Sequence, residues 1–117
     1  MVEKVCPVAN PALSMKNEGP PEAQVDAVQH YLAREFPGCG HRTWWSESVM
    51  AQVFEFSNDE MLRRIVIEDA FFRCYRDCAE ALRHSDLVDY IRESRAPRRC
   101  FHLAWHDHTL RIRSKPL

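Results

Sequence analysis

The chain has 117 residues, 45% of them hydrophobic and 28% charged, a balance that suits one globular core and excludes both a disordered polymer and a membrane bundle. Sixteen Lys and Arg against seventeen Asp and Glu leave a formal charge of −1, so no whole-molecule field draws the protein to a polyanion or an anionic membrane, and any such binding must be local. Neither a signal-peptide core in residues 1–21 nor an apolar run near the ~20 residues of a membrane span is present, and the expectation is a soluble, cytoplasmic protein with no membrane partner.

Residues 1–20 hold Pro7, Pro11 and Pro20 among Asn and Gly, with no helical or strand period. They read as a flexible tail, and the folded unit as a single domain over 21–117. From Pro21 to Phe36, Val25, Val28, Leu32 and Phe36 fall at spacings of three and four, which places an apolar stripe on a helix. Pro37, Gly38 and Gly40 stop it.

His41–Ser46 and Met50–Ser57, rich in aromatic and β-branched residues, predict paired strands joined by a turn at Glu47 and Ser48. Ser57 and Glu60 fit a capping box that would open a helix at Asn58, but the run Ile65, Val66, Ile67 favours a third strand over Leu62–Ile67. One helix follows, because Phe71, Cys74, Tyr75, Cys78 and Leu82 form a continuous stripe behind Glu68 and Asp69. A second short helix, capped by Ser85, carries Leu87, Val88 and Ile91 and ends by Pro97.

The last segment alternates. Phe101, Leu103 and Trp105 point one way, and Cys100, His102, Ala104 and His106 the other. With a turn at Asp107 and His108, Trp105 pairs with Leu110 and Leu103 with Ile112. The fold class is therefore α+β, a single domain in the order α-β-β-β-α(α)-β-β, with a mainly antiparallel sheet and helices packed on one face. Its first five elements follow the order of double-stranded RNA-binding domains. Those domains place phosphate-holding lysines at the start of the second helix, where this chain has Glu68 and Asp69, so the chain is assigned to no family on this ground.

Cysteines stand at 6, 39, 74, 78 and 100, an odd number in a chain with enough apolar residues for a core, and all five are expected as reduced thiols. No Gly-rich phosphate loop, nucleophile elbow or His-Glu-x-x-His pattern is present, so the reading leans away from an enzyme. Three binding readings remain. The preferred one is a small binding or regulatory domain acting through protein contacts, as a homodimer in one form, with Trp44 and Trp45 at the interface because adjacent strand residues face opposite sides. The second is a zinc site from Cys100, His102, His106 and His108, residue types that zinc prefers, with Cys39 or His41 as a further ligand. The third is single-stranded nucleic acid held by Arg98, Arg99, Arg111 and Arg113 beside an exposed tryptophan.

Overall fold

Apolar residues at helical spacing build α1 (Glu22–Glu35), and the whole stripe turns inward: Val25, Val28 and Leu32 are buried, as is Phe36 just past its end. The structure, a computed structural model, describes residues 19–106 and 109–117, so the expected tail lies, up to residue 18, outside the described residues. Pro21 precedes the helix, and its carbonyl accepts from the N–H groups of Gln24 and Val25.

Strands β1 (Gly40–Ser46), β2 (Ala51–Ser57) and β3 (Leu62–Glu68) pair antiparallel in succession. The first connection turns at Glu47–Met50, with Met50 in the left-handed region at φ 53°. In the second, the Asn58 side-chain oxygen accepts from the N–H groups of Glu60 and Met61. Asn58 thus closes a hairpin where Ser57 and Glu60 also suited a helix start.

The continuous helix expected through Phe71–Leu82 is two helices, α2 (Asp69–Cys74) and α3 (Cys78–Arg83). Tyr75 is extended, and Asp77 caps α3 by accepting from Glu80 N–H at 3.0 Å. The carbonyl that Tyr75 withdraws from the helix is taken by the side-chain amide of Gln24 on α1, at 3.3 Å. The break also corrects the cysteine expectation. Cys39, Cys78 and Cys100 are free, but Cys74 is disulfide-bonded; as the last residue of a short helix it is half-buried, whereas Cys78 on the next helix is sealed in the core.

Ser85 Oγ accepts from Leu87 N–H at the start of α4 (Leu87–Glu93), whose Leu87, Val88 and Ile91 are buried. Then β4 (Arg98–His106) enters parallel to β3, and β5 (Thr109–Pro116) returns antiparallel to it. The sheet order is β1-β2-β3-β4-β5. The predicted pairs Trp105–Leu110 and Leu103–Ile112 are both present, while the turn assigned to Asp107 and His108 lies outside the described residues.

Alternation decides the layers. Phe54, Phe56, Ile65, Ile67, Phe101 and Leu103 join the helices in one core cluster. Phe36 stacks on Phe56 at 4.4 Å between centroids, and Tyr75 meets Trp105 edge-on at 5.3 Å. All four helices among the described residues lie on that side, and none of these helices lies on the other face of the sheet.

Phe101→Ala is expected to cost about 3–5 kcal/mol, because it empties a fully buried ring site between β4 and the helices. Asp77→Ala should cost about 1 kcal/mol through loss of the α3 cap. Urea denaturation of both variants checks the difference.

Candidate functional site

On the face opposite the described helices, called the outer face below, the register sets side chains in rows across the sheet. One row runs Arg42, Glu55, Arg64, Cys100, Lys115, and the next runs Trp44, Val53, Val66, His102, Arg113. Arg111 lies beside Ala104, and Arg98 beside Leu62.

Glu55 organises the first row. Its Oε1 accepts from Arg42 Nε at 2.7 Å and its Oε2 from Arg64 Nε at 2.9 Å, and each guanidinium adds a second contact, at 2.6 and 2.7 Å. Both arginines therefore fork onto one carboxylate. Burial alone pushes the Glu55 carboxyl up, but the hydrogen bonds and charges of Arg64 and Arg42 outweigh it and hold the group below the ordinary glutamate range. The same two guanidinium carbons lie over the Trp44 ring, at 4.9 and 5.7 Å from its centroid.

At the other end of the rows, Arg111, Arg113 and Lys115 are exposed and carry no salt bridge among the described residues. They alternate along β5, so their Cα atoms stand about 7 Å apart. The face bears six cations (Arg42, Arg64, Arg98, Arg111, Arg113, Lys115) and two carboxylates (Glu55, Glu68), a balance of +4. Since the whole chain is −1, all remaining residues together carry −5.

The sequence-derived candidates divide across this geometry. Arg98, Arg111 and Arg113 share the outer face, but Arg99 points to the helix side, where it donates to Ser114 Oγ at 2.8 Å. It stands beside Arg63, a buried guanidinium that donates to the carbonyls of Pro97 and Ser94. Burial, reinforced by the charge of Arg99, lowers the Arg63 pKa. Trp44 and Trp45 take opposite faces, as adjacent strand residues must. Trp45 packs against the chain at Gly19, where a Cβ would stand 3.0 Å from the indole and φ is +90°, so only glycine suits that approach.

Of the zinc candidates, Cys100 and His102 share the outer face. The side chain of His106 and the whole of His108 lie outside the described residues. His102 Nε2 meets Glu68 Oε2 at 3.2 Å, and burial raises the Cys100 thiol pKa against the pull of Lys115 and Arg64. His41 lies on the other side of the sheet, stacked on Phe56 and donating from Nε2 to the Phe36 carbonyl at 3.1 Å. Cys39, two residues before His41, accepts from the Asn58 side-chain amide at 3.8 Å. No group of three or more His, Cys, Asp and Glu able to hold a metal occurs among the described residues.

Sequence reasoning missed Arg42, Glu55, Arg64 and Lys115. Their alternation with apolar residues was visible, but only the register joins them in one row. No protein-family model, curated protein or solved structure matches this chain. No helix among the described residues is long and apolar enough to cross a membrane.

Glu55→Gln should destabilise the fold by about 1–3 kcal/mol at neutral pH, as charge-assisted hydrogen bonds are lost. Because the folded-state pKa is depressed, that contribution is present above the unfolded-state value and disappears as pH falls through the folded-state one. Denaturation from pH 7 downward should show the wild type and variant converging below the ordinary glutamate range.

Proposed function

We propose that this chain is a non-enzymatic binding domain that holds single-stranded nucleic acid on the face of its sheet opposite the described helices. The observation that carries the reading is the charge of that face, +4 in a molecule of net −1. A local cationic surface on an otherwise acidic protein supplies the electrostatic footprint that polyanion binding needs.

Two parts of the face take different roles. The β5 row of Arg111, Arg113 and Lys115 offers exposed cations in a line, without a salt bridge among the described residues, at a spacing that an extended phosphate backbone can follow. The opposite side offers planar groups, the Trp44 indole and the guanidinium groups held over it by Glu55, on which bases can stack. Binding of this kind is sequence-tolerant, since every base has a π-face.

Association through a sheet face of tryptophans, the protein-contact reading, asks instead for an apolar surface. Beside Val53, the Trp44 ring carries the Arg42 and Arg64 guanidinium groups over it, which favours an anionic ligand there.

Fluorescence anisotropy with a labelled oligonucleotide tests the proposal. Each phosphate contact on a single strand contributes about −0.7 to the slope of log affinity against log salt. Replacing Arg111, Arg113 and Lys115 together by Gln should therefore flatten the slope by about 2, with the circular dichroism of the fold unchanged. No wild-type binding at low salt, or an unchanged slope in the triple variant, would reject the reading.

A further inference from the structure

The sheet ends at β5, and the outer edge of this strand has no strand partner among the described residues. Unpaired edge groups are a ready template for another extended chain. On the helix side of the same edge runs an open cleft of about 790 Å³. Its floor is Leu110 and Ile112, half-buried side chains that pack against the core. Tyr75 and Tyr90 wall it, the latter 38% exposed.

The rim is acidic. Asp77, Glu80 and Asp86 line the cleft, and an adjoining depression between Asp86, Tyr90, Asp89 and Glu93 extends the rim along α4. Glu80 is engaged by Arg83 and His84. The other four carboxylates have no ion-pair partner among the described residues. Edge, apolar floor and negative rim therefore coincide along one line.

We propose that this cleft is the docking groove for an extended basic segment of a partner protein, which adds to β5 as a sixth strand. Main-chain hydrogen bonds to the edge would give the affinity, and alternate side chains the specificity. Residues of the added strand on the helix side project over Leu110 and Ile112, where Lys or Arg can lay an aliphatic stem on the floor and carry its charge to the carboxylates. Residues on the other side come next to Arg111, Arg113 and Lys115 and are acidic or neutral. Charge complementarity thus specifies a strand that alternates basic with acidic or neutral polar positions. A second copy of the chain is a poor occupant, because antiparallel β5–β5 pairing brings two rows of Arg111, Arg113 and Lys115 together.

The probe is a labelled peptide alternating Lys with Thr, compared with its Glu–Thr counterpart and with a version N-methylated along the pairing edge. The Lys–Thr peptide is expected to bind the full chain at low salt and to slow hydrogen exchange of β5 amides. The Glu–Thr peptide should not bind, and N-methylation should abolish binding. Asp86→Lys with Asp89→Lys, two exposed changes, should weaken the peptide about tenfold while leaving oligonucleotide affinity undiminished, which separates this groove from the sheet-face reading. Absence of Lys–Thr binding, equal binding of the N-methylated peptide, indifference to the charge reversals, or dimerisation through β5 that the peptide does not compete would each overturn the proposal.

Discussion

One parallel contact, β3 against β4, determines the rest of this architecture. Parallel neighbours cannot be joined by a tight turn, so the chain must travel from the end of β3 back to the level of its start. Helices α2, α3 and α4 fill that crossing. They share their side of the sheet with α1, whose Val28 and Leu32 meet the same core. The crossing is fastened where it ends: Leu62 N–H donates to the Pro97 carbonyl at 2.7 Å, and the buried Arg63 guanidinium binds the carbonyls of Pro97 and Ser94. A charge taken out of water is costly unless it is well hydrogen-bonded, and here the loop backbone supplies the acceptors that make it tolerable.

With every described helix on one side, the opposite face still keeps water from the middle of the sheet. Ala51, Val53 and Glu55 of β2 are nearly inaccessible there, although no helix among the described residues lies on that face. At Glu55 the neighbouring strands contribute. Arg42 and Arg64 reach the Glu55 carboxylate from the strands on either side, and both guanidinium groups lie over the Trp44 indole. Glu55 is thus nearly buried while both of its partners are cations.

The two hydrophobic periods carried much of this architecture in the sequence. Val25 to Phe36 keeps helical spacing and Phe101 to Trp105 keeps the alternation of a strand, and each stripe is buried as its period requires. The break at Tyr75–Asp77 was not legible, because Phe71, Cys74, Cys78 and Leu82 stay in phase across it. What stabilises the interruption is Gln24, 51 residues away in sequence, and no local pattern reports such a partner. The disulfide at Cys74 was hidden for the same reason, since a continuous stripe would have made that residue an interior thiol.

The candidate site was half visible. Arg98, Arg111 and Arg113 fall together by alternation alone, and the same rule separates Arg99 from them. Arg42, Glu55 and Arg64 come from three different strands, and which residues stand opposite one another depends on turn lengths set by Asn58 and by the Glu47–Met50 turn.

The spatial separation of charge has a consequence that net charge conceals. With cations along the sheet face opposite the described helices and carboxylates along α3 and α4, a body of 43 × 27 × 24 Å carries a permanent dipole moment although its ionic sum is almost zero. A neighbouring field exerts a torque on such a body before any contact forms, so encounters begin oriented. The same protein should adhere to cation-exchange and anion-exchange resins alike near neutral pH, presenting a different side to each.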